Sequence, residues 1–187
     1  VHVLFVCTGN ICRSPFAERL MRHWLAPLGG TLTLSSAGTH AVQGAAMSAG
    51  SARLLRELGA DEAEFTSRQL TPQLLASVDL VLAMALEHRR RVVDMSPSHL
   101  RRAFTLRELA HLAGQLPADA WPSSAADRWY NIAQLAAAAR SLGDPLSPAA
   151  YDVIDPYGQG DEAYVHMAHQ VVPAVETLVD VTLRRMH

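Results

Sequence analysis

A chain of 187 residues is long enough to bury its own core, and 49% hydrophobic with 18% charged residues is far from the composition of a disordered protein. A formal net charge of −2 excludes the strongly basic balance that nucleic acid or an anionic membrane calls for, and the longest apolar stretch, 75–86, is too short to span a bilayer. The only two cysteines, Cys7 and Cys12, share one short loop and cannot staple distant segments, so a reducing cytoplasm is expected rather than a disulfide-built secreted scaffold.

All sixteen basic residues are arginine, which reads as the coding bias of a GC-rich bacterial genome rather than as function. The N-terminus shows no basic region followed by a long apolar segment, and no signal peptide is expected.

The run HVLFV (2–6) is β-branched and aromatic and predicts a buried strand. After the loop CTGNICRSP (7–15), the spacing of Phe16, Leu20, Trp24 and Leu28 predicts a helix over 14–28, with Pro15 suited to its first turn. TLTLSSAG (31–38) predicts a second strand, and 47–59 a helix stopped by Gly59. A third strand is expected over 77–85, a helix over 86–95, a fourth strand over 102–106 and a helix over 107–116. The arginine-rich run 88–91 reads as a solvated helix face.

Residues 117–151 differ in composition; within them 124–143 opens on a serine cap and closes on glycine, which predicts a helical insertion. A turn at Asp155-Pro156 and a long C-terminal helix, bent near Pro173, complete the chain. Strands alternating with helices imply an α/β fold in one domain over 1–187: a three-layer open sheet of about four parallel strands, helices on both faces, and a phosphate-binding loop after the first strand.

In such a sheet ligands gather beyond the carboxyl ends of the strands, where Cys7 to Ser14 fall. A loop running into a helix N-terminus offers unpaired N–H groups and the positive end of a dipole, both suited to an anion. Arg13 adds a planar fork for two oxygens of a phosphate. The same field favours a thiolate at Cys7, and Ser14 can donate its hydroxyl to that sulfur. Gly9 allows close backbone approach, and Asn10 tolerates the left-handed conformation that turns amides inward. His166 and His169 can share a helix face, but no further ligand cluster accompanies them and no metal is expected.

The stretch VCTGNICRSPFAERL resembles the catalytic loop of the low-molecular-weight protein tyrosine phosphatases, whose signature is C-x5-R-S after the first strand. The similarity extends through SSAGTH, VDLVLAMALEHRRRVV and FTLREL, and returns in IDPYGQGDEAY. The resemblance implies Cys7 as the nucleophile, Arg13 as the stabiliser of the transition state and Asp155 as the acid. Thr8, Gly9, Asn10, Ile11, Cys12 and Ser14 would then bind the phosphoryl group and Tyr157 would stack on the substrate. It also implies that Cys12 can close a reversible disulfide with Cys7.

Asp144-Pro145 competes for the acid role, but Asp155-Pro156-Tyr157 precedes the final helix as the family pattern requires. Without an aromatic in 39–47, Val42 is expected to form one wall of the cleft, and His40 lies near its rim. Ile11 favours an aryl phosphate over phosphoarginine, since the arginine phosphatases of the family carry threonine there. The expected protein is a cofactor-free cytoplasmic monomer or weak dimer, acting on a phosphotyrosine protein or small aryl phosphate, with no nucleic acid partner and no membrane insertion. The alternative is an arsenate reductase using an external small thiol, because no cysteine follows Cys12.

Overall fold

The computed structural model describes residues 1–30, 32–140 and 147–183. In chain order the strands are β1 (His2–Cys7), β2 (Thr33–Gly38), β3 (Leu80–Ala83) and β4 (Ala103–Thr105). The helices are α1 (Arg13–Leu25), α2 (Ala49–Glu57), α3 (Pro72–Ala76), α4 (Leu86–Met95), α5 (Leu106–Gln115), α6 (Ala125–Ala139), α7 (Pro148–Tyr151) and α8 (Asp161–Leu183). The four strands form one parallel sheet in the order β2-β1-β3-β4.

The two-residue period of β1 decides which face each side chain serves. Val3, Phe5 and Cys7 enter the larger core with α1, α5, α6 and α8, while Leu4 and Val6 meet Leu75 of α3 and Val92 of α4 on the other side. Three layers result, and β1, the switch point of the strand order, ends in the cysteine loop.

Several expected boundaries shift for local reasons. The third strand is shorter than 77–85: Ser77 closes α3, and Met84, though its N–H still donates to Val6 O, turns its carbonyl to accept the Val153 N–H at 2.8 Å. The fourth strand stops at Thr105, whose side chain and Glu108 make a reciprocal capping box for α5. The first helix ends at Leu25 and tightens into a 3-10 turn over Ala26–Leu28. Helix α3 was not expected; Thr71 accepts from Leu74 N and Pro72 occupies the first helical position.

Within 117–151, α6 packs against α5 and α8. Its buried Arg128 donates to the carbonyls of Pro122 (2.6 Å), Ser123 (3.1 Å), Val181 (3.0 Å) and Thr182 (3.1 Å), so its cation sits on the last turn of α8. Trp129 Nε1 adds a bond to Thr182 Oγ1 at 2.8 Å. Helix α8 continues through Pro173. Asp144-Pro145 and the end of the expected 124–143 helix lie outside the described residues. Among the described residues, no helix is long and apolar enough to cross a membrane.

Candidate active site

The loop after β1 is turned inside out by its neighbours. The carbonyls of Cys7, Thr8, Gly9 and Ile11 accept from the backbone N–H groups of Thr39 (2.9 Å), His40 (3.0 Å), Val42 (3.0 Å) and Ser48 (2.8 Å). A trans peptide points its N–H opposite its C=O, so the amides that follow these carbonyls face away from the 39–48 segment, and that of Asn10 reaches Cys7. Asn10 N lies 3.3 Å from Cys7 Sγ accordingly. Gly38 permits this clamp, because a Cβ there would lie 2.4 Å from the Thr8 carbonyl oxygen.

Asn10 takes a left-handed conformation with φ 54° and is fully buried. Its Oδ1 accepts from Arg68 N at 2.9 Å, which fixes the amide so that Nδ2 donates to Ser14 Oγ (3.0 Å) and Ser36 Oγ (2.9 Å). Ser36 in turn donates to Glu18 Oε2 at 2.6 Å. A carboxylate only accepts, so the whole chain has one sense. Ser14 Oγ accepts from Asn10 and lies 3.0 Å from Cys7 Sγ, placed to donate its own hydrogen to a thiolate there.

Arg13, at the first position of α1, is 5% exposed. Its Nη2 donates to Asp155 Oδ2 at 2.7 Å and to Thr8 Oγ1 at 3.3 Å, and Nη1 reaches the Val153 carbonyl at 3.4 Å. Its Nε is buried with no partner among the described residues, a donor left over for a ligand. Asp155 is held from across the fold: Val153 N bonds Met84 O, Leu86 N bonds Asp152 Oδ1 at 2.8 Å, and Ile154 N bonds Gln170 Oε1 at 2.8 Å. Tyr157 N donates to Asp155 Oδ1 at 3.2 Å, fixing the carboxylate over the loop.

A cavity of about 170 Å³ opens above the sulfur, lined by Cys7, Thr8, Gly9, Ile11, Cys12, Arg13, His40, Val42, Asp155 and Tyr157. All three residues expected to do chemistry face this one space. Of those expected to bind, Thr8, Gly9, Ile11, Cys12 and Tyr157 line it, whereas Asn10 and Ser14 stand behind it as props. Ile11 Cγ1 and Val42 Cγ2 come within 3.4 and 3.8 Å of the point where a Gly9 Cβ would sit, so they form a continuous apolar wall. Both cysteines are free thiols. Burial pushes the Cys12 thiol up from its ordinary value, against hydrogen bonding from Ser48 and Tyr164, whose hydroxyl is 3.8 Å from Cys12 Sγ.

The arginine-rich run corrects one expectation. Arg90 and Arg91 are exposed, but His88 is 2% exposed and its Nε2 lies 2.9 Å from Thr8 Oγ1. Burial, then the Arg13 charge, lower its pKa to about 3. Its spacing from buried Val92, one helical turn on, is the signal that separates it from the arginines. His166 and His169 are exposed on α8, and among the described residues no three His, Cys, Asp or Glu side chains are placed to hold a metal.

A parallel α/β sheet with a cysteine–arginine anion cradle at the carboxyl end of its first strand defines a phosphatase-like class of protein. The family described as low molecular weight phosphotyrosine protein phosphatase matches residues 2–119, and the chain belongs to it. A Ralstonia solanacearum relative named "Probable low molecular weight protein-tyrosine-phosphatase EpsP" is 34% identical over 107 residues, 57% of this chain and 71% of that protein. A protein-arginine-phosphatase of Geobacillus stearothermophilus is 36% identical over 106 residues, 57% of this chain and 69% of its own. The crystal structure of the low molecular weight protein tyrosine phosphatase from T. tengcongensis superposes with a TM-score of 0.70 at 29% identity, covering 96% of this chain and 98% of that one. These relatives carry phosphatase names, and they lend no support to arsenate reduction.

Proposed function

We propose that the chain hydrolyses aryl phosphate monoesters, phosphotyrosine in proteins above all, through a phosphocysteine and without a metal. The inward-facing amides around Cys7, with the Arg13 guanidinium beside them, carry this reading. An incoming phosphoryl group takes the Arg13 donors now shared with Asp155 and frees the carboxyl to act. Cys7 Sγ attacks phosphorus, the bond from phosphorus to the aryl oxygen breaks, and Asp155, in its protonated form once Arg13 has turned to the phosphoryl group, supplies the proton that the departing oxygen needs. Water then attacks the phosphocysteine and gives a proton to Asp155. The sulfur–phosphorus bond breaks with its electron pair on Cys7 Sγ, which the Ser14 hydroxyl stabilises.

The cavity is far below the roughly 300–1,000 Å³ of a site that engulfs a drug-sized ligand. It therefore takes one phosphorylated head group and leaves the rest of a protein substrate on the surface. The Ile11–Val42 wall and Tyr157 suit an aromatic ring. A phosphoarginine reading has its basis in the arginine-phosphatase relative, but among the described residues Asp155 is the one carboxylate lining the cavity, and it is committed to proton transfer. A nucleophilic thiol beside a second free cysteine also suits a reducing cytoplasm.

The test is hydrolysis of an aryl phosphate in EDTA. Cys7→Ser is expected to abolish turnover, and Asp155→Asn to slow it about 100-fold for poor leaving groups and less for activated ones. No turnover by the wild type, or phosphoarginine as the better substrate, overturns the reading.

A further inference from the structure

Two observations about Thr8 go beyond the cradle itself. Its hydroxyl oxygen sits between two donors: Arg13 Nη2 at 3.3 Å and His88 Nε2 at 2.9 Å. Glu87 Oε1 also stands 3.3 Å from Nε2, and its negative charge favours the tautomer with the hydrogen on that nitrogen. The opposite nitrogen, Nδ1, is buried with no partner among the described residues. An unpaired acceptor there is cheaper than an unpaired donor, which selects the same tautomer.

With both lone pairs of Thr8 Oγ1 occupied, its one hydrogen has to be donated elsewhere, and Thr8 lines the cavity above Cys7. We infer that His88 is a positioning residue that makes the Thr8 hydroxyl an obligate donor to a phosphoryl oxygen of the substrate. A threonine left to itself can equally well turn its lone pair toward the anion, which repels; His88 removes that option. Burial keeps the imidazole neutral throughout the working pH range, so the orientation does not switch. The inference rests on the proposed phosphatase reading for its substrate, but the anion site it describes can be read without turnover.

The experiment measures kcat, KM and vanadate inhibition for Thr8→Val, His88→Leu, His88→Gln and the Thr8→Val/His88→Leu pair, with vanadate and inorganic phosphate binding followed in parallel by calorimetry. Thr8→Val and His88→Leu are each expected to weaken vanadate binding and lower kcat/KM about tenfold, the scale of one hydrogen bond to a charged group. His88→Gln, whose amide can donate to the same oxygen, is expected to recover most of that loss. In the Thr8→Val background His88→Leu should add nothing. Equal losses from His88→Leu in both backgrounds, or Thr8→Val binding vanadate as tightly as the wild type, overturn the inference. Should His88→Leu fail to fold, Thr8→Val and His88→Gln still decide it. A wild type that binds vanadate but hydrolyses no aryl phosphate sinks the phosphatase reading alone, and the calorimetry still reads the Thr8–His88 pair.

Discussion

Asn10 is where loop geometry and stability meet, and its replacement yields a magnitude that can be worked from contacts. The side chain makes three buried hydrogen bonds, to Ser14, Ser36 and Arg68, each worth about 1 kcal/mol net. Its φ of 54° adds a conformational term: asparagine and glycine accept that region, while alanine incurs roughly 1 kcal/mol. Asn10→Gly is therefore expected to destabilise by about 3 kcal/mol and Asn10→Ala by about 4 kcal/mol. At about 2–4 °C per kcal/mol for a chain of this size, Asn10→Gly should lower Tm by roughly 6–12 °C. Urea unfolding at neutral pH reads the difference directly, and kcat/KM at a temperature where both variants stay folded reads the loop. Equal costs for glycine and alanine would mean that the backbone term is absent. Costs below about 1 kcal/mol for both would mean that the loop holds its shape without this side chain, and the account of the inward-facing amides would fail with it.

The pH dependence of stability should carry a signature of His88. Its pKa falls from 6.5 unfolded to about 3 folded, so the unfolded chain binds the extra proton first. The stability this buried neutral imidazole brings is complete above about pH 6.5 and is lost as pH falls toward 3. Between pH 8 and pH 5 the loss comes to about 2 kcal/mol. His99, lowered mainly by burial, acts in the same direction and is common to both proteins in a comparison. The urea midpoint of the wild type should therefore drop more steeply than that of His88→Gln over this range, and parallel curves would contradict the burial argument. In α6, Arg128→Ala removes a buried guanidinium that satisfies four carbonyls and is expected to cost about 3 kcal/mol in thermal or urea unfolding. A loss below 1 kcal/mol would show that α6 is not what secures the end of α8.

The parts of this molecule governed by near neighbours were legible in the sequence. HVLFV runs into CTGNICRSP, so the strand, the loop and the helix start follow from periodicity and from a proline tolerated in a first helical turn. Helix α3 is only one and a half turns long, too short for a 3.6-residue period to register, although Thr71-Pro72 is a helix-start signal. His88 was hidden by its arginine neighbours: a run of charge reads as solvated even when its first member turns inward. Asp155 lies 142 positions from Arg13, and no spacing rule brings them together. Family resemblance alone proposed the pair, and the latch from Met84, Leu86 and Gln170 is the physical reason it forms.

Two hydroxyls belong to the loop of Cys7, Ser14 beside its sulfur and Thr8 in the cavity wall, and one rule applies to both. Ser14 accepts from Asn10 and keeps its own hydrogen free for a thiolate at Cys7; the sense of that chain is set at its far end by Glu18, which can only accept and which Arg22 holds at 2.5 Å. Thr8 receives from Arg13 and His88 and presents its proton to the cavity. In the proposed reaction a donor fixed in advance need not reorient as charge moves from sulfur to phosphorus and back, which is where preorganised sites gain over water. The two arms differ in what sets them. One ends in a buried carboxylate held by an arginine, the other in an imidazole kept neutral by burial. Acid should therefore disturb the arm of His88 through folding stability long before it alters the direction of either hydroxyl, because the imidazole gains its proton more readily in the unfolded chain than beneath the loop.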